Sequence, residues 1–265
     1  MEAITLFRQS RLDDAFASLS AALRADPANV DLRYHMVGLL AFRGEFDRAL
    51  VHLEFIAGER PELATAVAMY VSSIHAEEER RRACEAGHMP SIDPGNEDAV
   101  RQRVLLRQSV LRGDETTAAR AAAAIAAEAP CPATVNGTAV AAFRDYDDGI
   151  GALLEVFVGG RCVWVPFRTL RSLQFTPPRG LLDLLWSQCE IVTVTGTRYQ
   201  AHVPVLYAGT ATRSDAQVRC GQKTEWQDEL GLGFRGYGQR VFLVGDKELE
   251  ILALREVRFG APGPT

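Results

Sequence analysis

The first 130 residues of the chain repeat one pattern of apolar, small and proline positions. Residues 10–27 align with residues 44–61 at an offset of 34, so that Ala15 and Ala49 take equivalent positions and a proline ends each segment. Residues 113–130 align with the second segment at an offset of 69, which is about two periods. Apolar residues within each segment recur at helical spacing. A fixed period of this length predicts a stack of repeated helical units.

Each unit is predicted to form a pair of amphipathic helices. The pair must bury its apolar stripe against a neighbouring unit. A small alanine where the two helices touch and a proline after the second helix resemble the tetratricopeptide repeat. Only the second unit is complete, and the apolar positions of its first helix are Leu32, Met36, Val37 and Leu40. Residues 1–130 are therefore predicted to form an all-α domain of tetratricopeptide-like helical repeats.

Two segments separate the second unit from the third. Opposite charges three and four residues apart at residues 77–82 predict a solvated helix end. The prolines and glycine of residues 89–96 predict a loop. Two further prolines at residues 129–132 end the helical pattern, and a domain boundary is predicted there.

A strand pattern follows the boundary. Residues 153–158 and 161–165 are apolar runs joined by a Gly159-Gly160 hairpin signal. A short helix is predicted at residues 181–186. Later strands are predicted at residues 190–195, 199–205, 239–244 and 249–257. Because the strands come in hairpin pairs, residues 134–259 are predicted to form an α+β domain with mostly antiparallel strands. Residues 260–265 are predicted to form a frayed tail.

Composition and charge exclude several classes of partner. The chain has 265 residues, a net charge of −5 and no basic cluster, so nucleic-acid binding is not expected. No apolar run reaches the roughly 18 residues of a membrane-spanning helix. The N-terminus lacks the features of a signal peptide, so a cytoplasmic protein without a membrane partner is expected. Five cysteines without a CxxC pair predict reduced thiols.

Local motifs predict no catalytic residue, cofactor or metal site. Residues 231–236 match the GxGxxG string, but with no strand leading into it a glycine-rich turn is the better interpretation. Residues 145–149 faintly resemble a calcium loop, but Val156 stands where a glutamate ligand is needed, so a solvated interdomain turn is predicted. The histidines form neither HxH nor HExxH, and GxSxG is absent.

Short strings in the second half occur in an order that resembles the ImpE/TagJ family. The strings are Asp148-Gly149, Leu154-Glu155-Val156, Gly160-Arg161, Trp164-Val165-Pro166-Phe167, Leu181 to Trp186, Val203-Pro204-Val205, Tyr207 with Gly209, Lys223-Thr224-Glu225-Trp226 and Gly236 to Arg240. Members of that family also open with a tetratricopeptide-like half, so the resemblance covers nearly the whole chain. Two positions depart from the family pattern: Leu182 stands where an Arg is expected, and Ala211 where a Glu is expected.

The resemblance implies a cytoplasmic, non-enzymatic accessory component of a bacterial type VI secretion system. It also implies a partner, the N-terminal helix of a TssB-type small subunit of the contractile sheath. Through this partner the protein would influence sheath recycling by the ClpV AAA+ ATPase. Two alternatives stay open from the residues themselves: a general tetratricopeptide scaffold, and an enzyme with a site in the α+β half.

Two surfaces are candidates for binding the partner helix. A helical-repeat domain offers a concave groove suited to an amphipathic helix. That groove would be lined by Asp31, Tyr34 and Phe42 from the complete repeat and by Arg103 or Arg107 from the third unit. The other surface lies near Trp226 and Arg240, because Trp and Arg are enriched at interface anchors.

Overall fold

The computed structural model of the protein describes residues 2–92 and 97–260. Within these ranges there are eight α-helices, and all but the last precede the predicted boundary. The helices are α1 (Glu2–Arg8), α2 (Leu12–Ala25), α3 (Val30–Phe42), α4 (Phe46–Glu59), α5 (Ala64–Ala86), α6 (Glu97–Arg112), α7 (Glu115–Ala126) and α8 (Ala216–Arg219). The part of the predicted tail beyond Gly260 lies outside the described residues.

Strands dominate the second half. They are β1 (Ser91–Ile92), β2 (Ala133–Val135), β3 (Thr138–Val140), β4 (Phe143–Asp145), β5 (Leu153–Val158), β6 (Arg161–Pro166), β7 (Leu170–Phe175), β8 (Trp186–Thr193), β9 (Arg198–Pro204), β10 (Thr224–Asp228), β11 (Phe234–Gly238), β12 (Val241–Val244), β13 (Lys247–Glu250) and β14 (Glu256–Phe259). A nine-stranded sheet has the order β1-β6-β5-β9-β8-β7-β14-β2-β3, β10 and β11 form a ribbon, and β13-β12-β4 form a third sheet. Only β1 pairs in parallel among these strands. The predicted fold class, helical repeats followed by a mostly antiparallel α+β half, is confirmed.

The helical pairs form where the repeat pattern predicts them. Ala15 and Ala49 are fully buried where α2 and α4 pack against their neighbours. The side chain of Asn29 caps α3 by accepting a hydrogen bond of 3.0 Å from the Leu32 N–H. Gly44 follows α3 with a φ of +72°, a conformation in which glycine has no steric penalty. Local sequence signals therefore determine the helix boundaries.

Helix α5 departs from the prediction. Residues 77–82 lie inside this helix, which continues to Ala86, and the Arg80 side chain is only 2% exposed. The prediction of a solvated helix end is wrong because α5 packs against β5 and β6, which buries charged as well as apolar positions. The predicted loop at residues 89–96 contains β1, which pairs with β6, and residues 93–96 lie outside the described ranges.

Residues 181–186 form a tight turn rather than the predicted short helix. A 3-10 turn spans Leu182–Leu184, and Trp186 already belongs to β8. The carboxylate of Asp183 accepts a hydrogen bond of 2.9 Å from the Gly180 N–H, which stabilises the turn at its start. The apolar side chains of this segment are buried without the length that a helix requires.

Both halves contribute to one hydrophobic core. Buried side chains from the helices and from the nine-stranded sheet form a continuous cluster that includes Leu40, Ile74, Val156 and Trp186. A smaller cluster joins α6 to α7, and Leu232 from the second half packs against it. The boundary near residue 130 thus marks a change of secondary structure, while side chains pack continuously across the two halves.

Candidate functional site

The face of α3 that carries Tyr34 and Gly38 packs against the strand-rich half. A Cβ atom placed on Gly38 of α3 would lie 2.6 Å from Leu181 Cδ2. One helical turn earlier, the Tyr34 hydroxyl would be 3.4 Å from a Cβ placed on Gly180. Concave surfaces are the binding faces of helical-repeat proteins. Residues 180–181 of the same chain therefore lie against the face of α3 that was a candidate for the partner helix.

Helix α5 makes polar contacts with the sheet at this interface. Ser73 Oγ lies 2.6 Å from His202 Nδ1, and the Tyr70 ring stacks on the His202 ring with centroids 6.0 Å apart. The indole Nε1 of Trp186 donates a hydrogen bond of 3.2 Å to Glu77 Oε1. Burial lowers the pKa of His202, so its imidazole is neutral at physiological pH. The serine–histidine pair is enclosed between the halves and joins them.

Arg240 lies at the centre of a buried ionic cluster. Its guanidinium donates a hydrogen bond of 2.6 Å to Asp145 Oδ2 and another to Glu155, and its side chain is 0% exposed. Tyr207 donates a hydrogen bond of 2.8 Å to Asp145 Oδ1. Burial alone would lower the pKa of Arg240, but the Asp145 and Glu155 carboxylates hold it above its usual range. The prediction that Arg240 contacts a partner is wrong, because its donors are used inside the protein.

Arg80 extends this ionic cluster into the repeat half. Its Nε lies 3.2 Å from Glu77 Oε2, its Nη1 lies 3.7 Å from Glu155 Oε2, and its Nη2 donates a hydrogen bond of 2.8 Å to the Leu206 carbonyl. Burial alone would raise the pKa of Glu155, but Arg80 and Arg240 hold it below its usual range. Since removing one member would leave an uncompensated buried charge, the cluster stabilises one arrangement of the two halves.

The acidic segment at residues 145–149 holds the β10–β11 ribbon. Asp147 Oδ2 accepts a hydrogen bond of 3.0 Å from the Gly236 N–H, and Asp148 Oδ2 accepts one of 2.8 Å from the Phe234 N–H. The Asp147 side chain is buried. The prediction of a solvated turn is wrong because these carboxylates bind backbone N–H groups from a distant part of the chain.

The glycine-rich string at residues 231–236 includes the turn of this ribbon. Strand β10 precedes the string, contrary to the prediction that no strand leads into it, and its last residues lie in β11. No helix N-terminus follows, so the geometry of a dinucleotide-binding loop is absent from this segment. A Cβ placed on Gly236 would lie 2.8 Å from Trp226 Cζ3, so glycine is needed for close packing on the indole.

Asp147 also lines a small cavity between α5, α6 and the ribbon. The cavity has a volume of about 60 Å³, and Cys84, Arg107 and Arg235 contribute to its walls. Burial, together with the nearby Asp145 carboxylate, raises the pKa of Asp147 to about 7. Burial raises the pKa of the Cys84 thiol to about 12, so this cysteine is not a thiolate nucleophile at neutral pH.

An open cleft lies between β10 and β13 beside Trp226. One face of the indole stacks on Tyr146, with ring centroids 4.3 Å apart. The cleft has a volume of about 510 Å³. We name it the Trp226 cleft and define it by Thr224, Trp226, Val241, Glu248, Leu249, Glu250 and Ala253. It combines an aromatic anchor, apolar side chains and two exposed carboxylates on a strand at the edge of its sheet.

Two of the three residues predicted to line the repeat groove from the complete repeat are covered. Phe42 is 1% exposed and packs against Phe7, with ring centroids 4.6 Å apart. The prediction that Phe42 faces a groove is wrong, because its ring points into the core between α1 and α3. Tyr34 is half-buried, and its hydroxyl lies 3.4 Å from the Tyr70 hydroxyl. Asp31 is exposed.

The two arginines predicted from the third unit bind the strand-rich half. Arg103 donates hydrogen bonds of 2.6 and 2.8 Å to the carboxylate of Glu128 and one of 2.8 Å to the Ile150 carbonyl. Arg107 donates a hydrogen bond of 2.8 Å to Glu229 Oε1. The prediction that Arg103 contacts a partner is wrong, because its side chain is 0% exposed. Arg107 is partly exposed beside its ion pair with Glu229, so a partner contact by Arg107 stays a prediction.

Sequence reasoning missed the role of Glu155 and Arg80. Glu155 interrupts the apolar run of β5, and a carboxylate in a buried strand requires a cationic partner. A glutamate within an apolar run was the signal that could have indicated a buried ion pair. Nothing near Arg80 in the sequence distinguishes it from its neighbours Arg81 and Arg82, which are exposed.

The described part of the chain offers no metal cluster, membrane span or disulfide. Residues 2–92 and 97–260 contain no group of three or more His, Cys, Asp or Glu placed to hold a metal ion. They also contain no helix whose length and apolar character would suit a membrane span. All five cysteines are free.

Tetratricopeptide-like helices that share a core with an antiparallel α+β half define a repeat-containing protein of the interaction class. The tetratricopeptide repeat family matches residues 6–70, and the family described as ImpE protein matches residues 137–258. The chain is 34% identical over 261 residues to the type VI secretion system accessory component TagJ of Pseudomonas aeruginosa, covering 98% of this chain and 91% of that protein. The chain belongs to the ImpE family and is a type VI secretion accessory component with tetratricopeptide-like repeats.

A solved structure shows the same fold. The crystal structure of protein VPA1032 from Vibrio parahaemolyticus matches with a TM-score of 0.88 over 99% of each chain, at 21% sequence identity. Both the helical half and the strand-rich half lie within this match, so their arrangement is shared between the two proteins.

Proposed function

We propose that the protein is a non-enzymatic adaptor that acts in the cytoplasm and binds a helical segment of a TssB-type small subunit of the type VI contractile sheath. Through this contact it modulates the recycling of the sheath by the ClpV ATPase. The observation that carries the proposal is the 34% identity to TagJ, a type VI accessory component, along 98% of the chain. The identity spans both halves, so the role belongs to the whole chain.

The buried polar groups support a binding role. Ser73 and His202 contact each other at the interface between the halves, and the Cys84 thiol has a pKa of about 12. Arg240 is enclosed by carboxylates of the same chain. A nucleophile or a general base needs contact with a substrate. Ser73 and His202 instead join the halves, and Arg240 binds carboxylates within the strand-rich half, which supports an adaptor more than an enzyme.

Isothermal titration calorimetry tests the proposal directly. The full-length protein is titrated with a synthetic peptide of the N-terminal helix of the sheath small subunit from the same secretion system. We expect a dissociation constant in the micromolar range or tighter. The control is the same peptide with the apolar residues of one helix face changed to serine, which should not bind.

The absence of detectable heat at several temperatures, with an intact fold by circular dichroism, would overturn the sheath-adaptor proposal. Affinity capture from a lysate of the source bacterium would then distinguish the general scaffold. Retention of a different protein in place of sheath subunits would favour that alternative.

A further inference from the structure

We propose that His202 is a proton-sensitive latch between the two halves of the chain. Its neutral imidazole holds α5 against the nine-stranded sheet, and a second proton on the ring releases this contact. The release uncovers the face of α3 that carries Tyr34 and Gly38. The latch concerns how the halves are joined, so it goes beyond the proposed function and does not depend on a sheath partner.

The imidazole is enclosed between the sheet and α5. His202 lies on β9 and is 4% exposed. Strands β8 and β5 flank it, with Gln188 and Phe157 in register opposite. On the other side, the Tyr70 ring stacks on the imidazole with centroids 6.0 Å apart, and Ser73 Oγ lies 2.6 Å from Nδ1. A charge on this ring would therefore be cut off from water.

The hydrogen bonds of Ser73 assign the tautomer of His202. A hydroxyl has one hydrogen, and Ser73 donates it to the Met69 carbonyl at 3.0 Å. Ser73 Oγ must then accept a hydrogen bond from the imidazole, which places the ring proton on Nδ1. The other nitrogen, Nε2, carries a lone pair and has no hydrogen-bond partner within residues 2–92 and 97–260. A second proton would therefore be added at an enclosed nitrogen without an acceptor.

Helices α3 and α5 present two tyrosines and one carboxylate in this region. Burial raises the pKa of Tyr34 and of Tyr70, so both hydroxyls are neutral at neutral and acidic pH. Glu77 accepts a hydrogen bond from the Trp186 indole and lies 3.2 Å from Arg80. Because this carboxylate already has two partners, it does not balance a charge on the imidazole.

The sheet side presents two further carboxylates. Neither residue opposite the imidazole carries a charge, and Glu155, further along β5, is bound by Arg80 and Arg240. Asp183 favours the charged imidazole, but its Oδ2 accepts hydrogen bonds of 2.8 and 2.9 Å from two backbone N–H groups of its own turn. Burial has the larger effect and lowers the pKa of His202.

A buried neutral histidine makes the closed arrangement depend on pH. When α5 moves off the sheet, the imidazole meets water and regains its usual pKa of about 6.5. The closed form takes up the proton only at a lower pH, so closure is fully favoured above about pH 6.5. Below that value the ratio of open to closed molecules rises by up to about tenfold per pH unit, until the closed form is protonated as well.

The Tyr70 ring connects the latch to α3. Besides stacking on the imidazole, it meets Tyr34 edge to face with ring centroids 6.2 Å apart, and its centroid lies 6.3 Å from that of Trp186. Tyr34 and Gly38 in turn lie against residues 180–181. Movement of α5 away from the sheet therefore breaks the contacts that cover this face of α3.

Hydrogen exchange of the full-length protein, followed by mass spectrometry, tests the latch. Protection factors are referenced to the exchange rate of unstructured peptides at each pH, which removes the intrinsic effect of pH. We expect the protection of α3 and α5 to fall at least about fivefold between about pH 7 and pH 5.

Two variants assign this change to the imidazole. His202→Asn keeps an N–H donor near Ser73 but does not titrate, so the pH dependence should disappear whatever the overall level of protection. The matched control is His75→Asn, which removes an exposed histidine of the same helix and should keep the wild-type dependence. Asp147 titrates in the same range with the opposite sign, but it is present in all three proteins, so their comparison isolates His202.

Nitrogen-15 NMR of the wild-type imidazole is a second measurement that needs no variant. It should show the Nδ1–H tautomer and a pKa of His202 below its usual value of about 6.5. Equal protection of α3 and α5 at both pH values would overturn the proposal. So would an unchanged pH dependence in His202→Asn, or a ring proton on Nε2. None of these results involves the sheath peptide, so the latch and the adaptor function stand or fall separately.

Discussion

Replacing Gly38 by alanine probes the contact between α3 and the strand-rich half. The added Cβ would lie 2.6 Å from Leu181 Cδ2, 2.9 Å from Cγ and 3.3 Å from Cβ. Because three successive atoms of Leu181 are this close, rotation of one methyl group does not relieve the collision. The whole side chain, which is buried, must move away from α3.

The expected magnitude follows from two opposing effects. Alanine is favoured over glycine inside a helix by about 1 kcal/mol. Forcing an extra carbon into a packed site costs about 1–3 kcal/mol. We therefore expect Gly38→Ala to lower the free energy of unfolding by about 1 kcal/mol in net terms, the difference between these two effects.

A double-mutant cycle with Leu181→Ala isolates the contact. Leu181→Ala alone should cost about 2–5 kcal/mol because it leaves a cavity. In that background the two closest atoms are gone and only the Cβ of residue 181, 3.3 Å away, remains, so the Gly38 substitution should become stabilising by up to about 1 kcal/mol. The coupling energy between the two positions should then be about 1–3 kcal/mol, as found for residues in direct contact.

Urea unfolding followed by far-UV circular dichroism measures all four proteins of the cycle. Gly58→Ala in α4 is the control, since a Cβ at Gly58 meets nothing within 4 Å. This control should be neutral or slightly stabilising. If Gly38→Ala matches the control and the coupling energy is zero, Leu181 does not pack on α3. The assignment of this face of α3 to a contact within the chain would then be refuted.

Two further predictions concern the buried charges. Arg240→Met should lower the free energy of unfolding by about 3–5 kcal/mol in urea titrations, because Asp145 and Glu155 are left buried without their cation; a loss below 1 kcal/mol would contradict the ionic cluster. The second concerns Asp147, whose pKa of about 7 lies above the value of about 4 expected in the unfolded chain. Its contribution to stability is complete below the unfolded pKa of about 4, declines with a slope of up to about 1.4 kcal/mol per pH unit as the pH rises to the folded pKa, and levels off above pH 7. Unfolding titrations between about pH 4 and pH 8 should show this decline and the plateau above pH 7 in the wild-type protein and a flatter profile for Asp147→Asn, and parallel profiles would rule out the assigned ionisation.

The sequence by itself determined the elements whose signals are local. The 34-residue offset located the helix pairs because each helix buries a stripe of its own residues, and Ala15 and Ala49 are the close-contact positions. The Gly159-Gly160 signal located the β5–β6 hairpin because two successive glycines at positive φ reverse the chain there. The order of short strings in the second half also indicates the ImpE family from the sequence alone.

Only the tertiary structure decided which charged and aromatic residues are available to a partner. Arg240, Arg103 and Phe42 looked suitable for recognition, yet each is buried by residues from a distant part of the chain. Asp147 looked solvated until the ribbon supplied the N–H group that it binds. A polar side chain is buried or exposed according to the partner that folding brings to it, and that partner lies at a sequence separation which no local pattern records. For this reason the sequence revealed the repeat architecture, and only the packed structure revealed that residues 180–181 lie against α3 and that Arg240 is buried.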